Sequence, residues 1–559
     1  MKNFLAVLTL IAGASVVFAG TKTAPDLPSN SSSPLAVIVQ YQTTPTKSEL
    51  KQLGSQIQQQ FVHINAISAV MTTAQIQTVS QDPNVSYISP NRVTQGSLDI
   101  TTATVNANIA WSAGYTGTGV GVAVIDSGIY AHDDLQNANG TGSRIVYSQS
   151  FVTGLDASDQ YGHGTHVAGI VGSNGKDSTG PNFTRTLKGV APNVNLINLR
   201  VLDANGAGTD AAVIAAIDEA ISLRSTYNIR VINLSLGRPV WESYTLDPLC
   251  QAAEAAWKAG IIVVAAAGNY GRDNSMDEHG YGTIVAPGND PYVITVGAMN
   301  DMGTATRTDD TIASYSSKGP TAIDHIVKPD LVAPGNGTVS LMSPNSTLSF
   351  NSSTVVPNSY YQTNSVGNSS TYMRLSGTSM ATPVVSGAAA LLLQQNPSLT
   401  PDQVKARLMK TAQKVLTLYN TAYDRFTMRA FNMQSDIFEV GAGYLDVQAA
   451  ISNNDLTSLP ALSATAVYNS FTHQVTIARN LSTSWGASVV WGDSLVYGFN
   501  VLGGLDNNGF SVVWGDSVIW GMDDGGGGFS VVWGDSLLLP MSVQALDSGD
   551  GDFSVVWGD

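Results

Sequence analysis

Four residues far apart in the chain carry side chains suited to acyl transfer: Asp126, His163, Asn269 and Ser379. Ser379 lies in Leu375-Ser376-Gly377-Thr378-Ser379-Met380-Ala381-Thr382-Pro383, a polar turn that runs into the apolar stretch 384–393. That stretch reads as a buried helix, which puts Ser379 at or near its N-terminus. Unpaired N–H groups there, with the positive end of the helix dipole, favour an anion beside the hydroxyl. A hydroxyl alone is a poor nucleophile at neutral pH and needs a base. His163, in Gly162-His163-Gly164-Thr165-His166, offers an imidazole. Asp126 closes the apolar run 121–125 with a carboxylate, and Asn269 closes the run 263–267 with a side-chain N–H donor. Each residue alone has a plainer reading: a helix cap for Ser379, turn residues for Asp126 and Asn269. The three-residue spacing of His163 and His166 also suits a metal. No HExxH motif, third histidine or cysteine pair accompanies it, so His163 reads as the catalytic imidazole and His166 as its structural neighbour.

The elements that must position these groups alternate between two kinds. Apolar, β-branched runs at 120–125, 196–202, 231–236, 261–266 and 293–296 read as buried parallel strands. Alanine-rich stretches at 210–223, 248–259, 382–395 and 401–411 read as helices. The expected fold is α/β, a doubly wound, mostly parallel sheet with its chemistry at the carboxyl ends of the strands. Pro383 is expected close enough to its helix start that a missing N–H costs little.

This catalytic unit is assigned to residues 96–455. Residues 1–19 read as a signal peptide, with Lys2, an apolar run at 4–12 and the small-residue pattern Val17-Phe18-Ala19. Residues 20–95 form a leader whose core, 35–94, shows strands at 35–40, 64–71 and 85–88 and helices at 47–61 and 73–81. That order is a small ferredoxin-like α+β pattern. Residues 456–559 form a Gly/Asp-rich tail in which Ser-Val-Val-Trp-Gly-Asp begins at Ser488, Ser511, Ser530 and Ser554. Its alternation predicts a β-rich repeat array, and its clustered Asp residues read as solvated turns.

Only 12% of the 559 residues are charged, and the net charge of -16 argues against nucleic acid and anionic membrane partners. Cys250 is alone, which excludes an intrachain disulfide and reads as a small core residue. No run after the first is long and apolar enough for a transmembrane anchor. The expectation is a secreted, extracellular protein.

The order Asp, His, Ser along the chain now becomes specific. Ala123-Val124-Ile125-Asp126-Ser127-Gly128, Gly162-His163-Gly164-Thr165-His166-Val167-Ala168-Gly169, Ala266-Ala267-Gly268-Asn269 and Gly377-Thr378-Ser379-Met380-Ala381-Thr382-Pro383 resemble the four signature blocks of the subtilisin-like serine proteases. Residues 328–335 and 441–446 resemble further segments of that family. The resemblance covers roughly residues 35–452 and implies a serine endopeptidase made as a self-processed zymogen. It implies that Ser379 attacks the scissile carbonyl, His163 acts as general base and acid, and Asp126 holds the imidazole. Asn269 and the Ser379 N–H would meet the oxyanion. By the same resemblance, Ser235-Leu236-Gly237 would pair with an extended protein or peptide substrate, and Gly237 and Gly268 would leave room for the side chain before the cut. Tyr270 follows Asn269 where it would line that pocket, which suggests a large apolar preference. Residues 35–94 resemble the family's inhibitory propeptide, an intramolecular partner cut off by self-cleavage between about Thr94 and Ser97. No cofactor is required for the chemistry. Asp134 resembles a family ligand for structural calcium, but the loop 174–182 departs from the family pattern and carries Lys176. Two rival readings remain at this stage: an inert protease fold used for binding, and a ligase that passes the acyl group to an amine.

Overall fold

The computed structural model describes residues 22–484 apart from short breaks, together with a few strand segments of the tail. The stretch 1–19, where a signal peptide was expected, and most of the repeats lie outside the described residues. Of the tail, Trp491–Gly492, Trp514–Gly515, Val518–Met522 and Phe529–Trp533 are strands.

The leader holds β1 (Leu35–Tyr41), α1 (Lys47–Leu53), β2 (Ile57–Gln60), β3 (Ala66–Met71), α2 (Thr73–Ser80) and β4 (Val85–Pro90). Its four strands form an antiparallel sheet in the order β2-β3-β1-β4. One helix expected at 47–61 is two elements. The helix ends at Leu53, and Ile57-Gln58-Gln59-Gln60 takes a strand whose residues alternate between half-buried and exposed. Such alternation supports an edge strand and gives a helix no continuous apolar stripe. A further strand, β5 (Val93–Gly96), leaves the leader.

The main body opens with α3 (Ala107–Ser112), β6 (Gly121–Asp126), β7 (Ile145–Ser150), α4 (His163–Gly172) and β8 (Asn195–Arg200). It continues through β9 (Ala207–Thr209), α5 (Asp210–Ser222), α6 (Arg224–Tyr227), β10 (Ile229–Leu234) and β11 (Leu236–Gly237). Then come α7 (Pro248–Lys258), β12 (Ile262–Ala266), β13 (Ile294–Asn300), β14 (Thr311–Ile312) and β15 (Leu331–Pro334). The strands β16 (Thr338–Leu341), β17 (Val355–Pro357) and β18 (Asn368–Leu375) precede α8 (Thr378–Gln395) and α9 (Pro401–Thr411). The central sheet runs β7-β8-β6-β10-β12-β13, all parallel, with β15 parallel and β14 antiparallel beside β13. The expected mostly parallel sheet is thus present, and its strand order switches direction at β6. Crevices at the carboxyl ends of strands open at such a point, and β6 ends on Asp126. The strand β7 escapes the sequence pattern because none of its residues is fully buried.

Helices α4 and α8 pack on each other and on the sheet, as do α5 and α7. From Thr378 to Leu393 every residue of α8 is buried, so no polar stripe marks it as a surface helix. Arg238, itself buried, joins the starts of α5 and α7 by donating to Asp210 at 3.1 Å and Asp247 at 2.8 Å. The leader docks on these same helix starts. Asn91 accepts from the Ala211 N–H at 2.7 Å, satisfying an orphan donor in the first turn of α5.

One buried carboxylate ties this fold to pH. Asp290 accepts from the Tyr292 N–H at 2.7 Å, but its other oxygen has no hydrogen-bond partner. Burial first, and Glu254 second, push it up to about 8, against the pull of Lys328 and Lys405. The folded protein therefore keeps a proton that the unfolded chain releases near its ordinary value of 3.8. This contribution to stability is complete below that value and is lost as pH rises towards about 8. Asp290→Asn should flatten the fall in denaturant midpoint over that window, measured by urea unfolding at a series of pH values.

Candidate active site

The site is assembled from two turns clamped together. At the end of β6, Asp126 is fully buried, and its Oδ1 accepts from the His163 Nδ1 at 2.6 Å and from the Ser127 N–H at 2.7 Å. An ionised carboxylate only accepts, so Nδ1 carries the proton and Nε2 is left as the acceptor on the other side of the ring. His163 is the first residue of α4. Its close seat depends on Gly164, where an added Cβ would stand 2.1 Å from the Gly128 carbonyl oxygen. Asp159, a residue the sequence reading missed, locks the two turns. One of its oxygens accepts from the Ser127 hydroxyl at 2.8 Å and the Gly162 N–H at 2.7 Å, and the other from the Thr165 N–H at 2.8 Å. Its signal was its place three residues ahead of Gly162, within reach of the first turn of α4. His166 sits fully buried, with Nε2 3.2 Å from the Met373 carbonyl and 3.3 Å from that of Thr338. Burial and the neighbouring His163 hold it well below its ordinary value, so it packs as a neutral ring.

Ser379 is the second residue of α8, 2% exposed, at the end of the helix that packs on α4. The helix begins four residues earlier than expected, which makes Pro383 an interior residue. The proline removes the N–H that would have bonded the Ser379 carbonyl four residues back. Ser235 replaces it, donating its hydroxyl to the Ser379 carbonyl at 2.5 Å. Asn233 in turn donates to the Ser235 oxygen at 2.9 Å and accepts from the Ser386 hydroxyl at 2.8 Å. The carbonyl freed by Pro383 is thereby tied to the strand that leads into β11. Ser235→Ala should remove this bond from a buried carbonyl, at a cost of about 1–3 kcal/mol, read out as a lower melting temperature.

Asn269 follows β12. Its Oδ1 accepts from the Thr378 N–H at 2.9 Å and the Thr378 hydroxyl at 3.1 Å, and the Gly268 N–H donates back to that hydroxyl at 3.1 Å. With the oxygen fixed twice, the Nδ2 donor is turned the other way. Thr378, unrecognised in the sequence, therefore orients the amide.

A short sheet in the order β11-β5-β9 crosses the same region, antiparallel throughout. Gly96 lies opposite Leu236 and Gln95 opposite Gly237, while Thr94 lies opposite Gly208 on the other side. The leader's exit strand is thus threaded between two strands of the body. Gly237 and Gly268 both face Val285. An added Cβ would lie 2.4 Å from a Val285 methyl at Gly237 and 2.7 Å at Gly268. The space at these two glycines is taken by that valine, which the sequence reading did not single out. Tyr270 is 38% exposed, with its N–H donated to the Ser317 hydroxyl at 3.0 Å.

Asp134 was the expected calcium ligand. It is fully buried beside His132 and Asp177, whose candidate ligand atoms lie with its own within 4.8 Å of one another. Both of its oxygens are already used. One accepts from the Asp177 N–H at 2.7 Å, the other from the Tyr372 hydroxyl at 2.7 Å and the Ser173 hydroxyl at 3.1 Å. Calcium takes six to eight oxygen ligands, and one member of this trio is an imidazole nitrogen. The donor set does not suit calcium, and protein hydrogen bonds do the cross-linking there.

Comparison with known proteins fits this geometry. Residues 117–443 match the Subtilase family, Peptidase S8. The chain is 39% identical over 372 residues to Serine protease AprX of Bacillus subtilis, covering 65% of this chain and 78% of that protein. It is 34% identical over 370 residues to Subtilisin E of the same organism, covering 66% and 80%. Against Subtilisin DY of Bacillus licheniformis the identity is 34% over 348 residues, covering 62% and 96%. With a match that spans more than half of the chain and takes in all four of the residues first singled out, the chain belongs to the subtilase family and is a subtilisin-like serine endopeptidase.

Proposed function

We propose that Ser379, His163 and Asp126 form the catalytic triad of this endopeptidase, and that the enzyme is exported as a zymogen whose leader occupies the cleft. The observation that carries the reading is the buried 2.6 Å contact between His163 Nδ1 and Asp126 at the switch point of the sheet. His163 takes the Ser379 proton as Oγ attacks the carbonyl, then delivers it to the leaving amine. Asn269 Nδ2 and the Ser379 N–H stabilise the oxyanion. Residues 1–19 direct export, residues 20–95 act as the removable inhibitor, and 456–559 form a separate tail. Water, in vast excess, is the acceptor of the acyl group. The test is incubation of the purified protein with casein, with and without a serine-directed fluorophosphonate, followed by mass spectrometry. Peptide products that vanish with the inhibitor, and a label on Ser379, are expected. Casein left intact by unlabelled protein would sink the reading.

The strand register refines the substrate. Substrate pairs with Leu236 and Gly237 on one side and the β9 segment on the other, as β5 does. Leu236, opposite Gly96, follows Ser235, whose hydroxyl is bonded to the Ser379 carbonyl. Self-cleavage is therefore expected near this paired strand, in the stretch from Thr94 to Ser97, checked by intact mass of the two pieces. Val285 packs against both glycines beside this strand, and Tyr270 carries the proposal of a large apolar preference before the cut.

A further inference from the structure

None of the chemistry above involves the tail repeats. Where the structure describes them, repeat strands pair with repeat strands. Trp491–Gly492, from the copy that begins at Ser488, pairs parallel with Trp514–Gly515, from the copy that begins at Ser511. The register sets Trp491 opposite Trp514 and Gly492 opposite Gly515, so the same positions of two copies face each other. A second contact shows the same preference in the antiparallel sense. Val518–Met522, from the half-copy Ser517-Val518-Ile519-Trp520-Gly521, pairs with Phe529–Trp533, from the copy that begins at Ser530. Ile519 lies opposite Val532, Trp520 opposite Val531 and Gly521 opposite Ser530.

Two strands of one sequence in parallel register make an open contact. The outer edge of each offers the sequence and the backbone groups that its neighbour has just accepted, so a further copy can add in the same way. The antiparallel sheet, in the order Thr465–Asn469, Gln474–Ala478, Val518–Met522 and Phe529–Trp533, is open as well. Phe529–Trp533 is its outer strand, with no further strand beside it among the described residues. Proteins guard such edges with lysine, proline or a covering element. No lysine or arginine follows Arg479, and none of the copies contains proline. Their valine and tryptophan favour strands. Against this, the charged side chains after Arg479 are ten aspartates, which oppose the approach of two tails.

We propose that the tail is an association module, whose repeat strands add edge to edge to the repeat strands of a second copy of this chain. Backbone pairing supplies the affinity, and the shared sequence sets the register. The aspartates set the conditions. Their repulsion weakens as salt shortens the Debye length from about 10 Å at 0.1 M to about 3 Å at 1 M. Association therefore strengthens with salt, the reverse of a contact held by opposite charges.

The test uses the full chain as Ser379→Ala, so that self-digestion does not trim the tail. A second protein adds Val490→Pro, Val513→Pro, Val532→Pro and Val556→Pro, one in each copy, where the missing N–H opposes pairing. Sedimentation velocity is run on both over a range of concentrations, at about 0.1 M and about 1 M sodium chloride. The first protein should sediment as more than one chain, with an association constant that rises about tenfold between the two salts. The four-proline protein should sediment as a single chain throughout. A third arm needs no variant: the peptide Phe-Ser-Val-Val-Trp-Gly-Asp in excess should dissociate the assemblies, and a scrambled peptide should not. A single chain under all conditions, assemblies that persist in the four-proline protein, association that weakens with salt, or equal effects of the two peptides would overturn the proposal.

Discussion

Ser379→Ala is expected to lower kcat by on the order of 10⁶ and to leave the chain at its full unprocessed length. On the proposed mechanism the side chain removed is the group that forms the covalent bond. The scaffold should survive, because the contact that holds this turn in place runs through the Ser379 carbonyl to Ser235 and does not involve Oγ. Circular dichroism should be unchanged while casein hydrolysis vanishes. A residual rate well above the uncatalysed one is still expected, since the oxyanion donors remain. Normal processing of this variant in a host lacking other proteases would show that the leader is removed by another enzyme. His163→Ala should lose almost as much, because Oγ then has no base and the carboxylate of Asp126 is left buried without its imidazole partner.

The second large effect lies at the amide. Asn269→Ala should cost about 10²–10³ in kcat with little change in KM, because the donor acts on charge that develops only in the transition state. Thr378→Val separates orientation from donation. It removes the hydroxyl that bridges Asn269 Oδ1 and the Gly268 N–H, and leaves Asn269 itself intact. The backbone bond from the Thr378 N–H still holds the amide oxygen at 2.9 Å. A loss of about tenfold in kcat is expected, since one of two restraints remains. Stopped-flow or initial-rate kinetics on a chromogenic peptide would measure both variants. An Asn269→Ala loss under about threefold would remove this residue from the oxyanion role.

Much of this site was legible because each group ends a strongly patterned segment. Asp126 and Asn269 close apolar runs that admit only a buried strand, and His163 and Ser379 open runs that are apolar all round. The main strands and helices followed from the same contrast. What escaped were contacts that periodicity does not encode. Asp159 lies in a loop and acts through three hydrogen bonds to other turns. Thr378 looked like an ordinary turn residue beside a more conspicuous serine. Pro383 was placed too near the helix start, because its compensation comes from Ser235, which bonds the Ser379 carbonyl across 144 residues of sequence. Val285 sits in a loop and matters only because two glycines from other segments converge on it. The Asp134 carboxylate carries a family-like local sequence, yet Tyr372 and Ser173, from distant segments, take up its oxygens.

The threaded strand has a kinetic consequence. A segment joined by a few residues to a docked unit faces its own cleft at an effective concentration in the millimolar range. A free substrate at micromolar concentration is outcompeted by about a thousandfold while that tether lasts. Cutting the tether does not empty the cleft. The new end stays bonded along both edges, and its hold now depends on the real concentration of released leader. Onset of activity should therefore lag behind cleavage, shorten on dilution, and accelerate once the first freed molecules begin to digest the leaders of the rest.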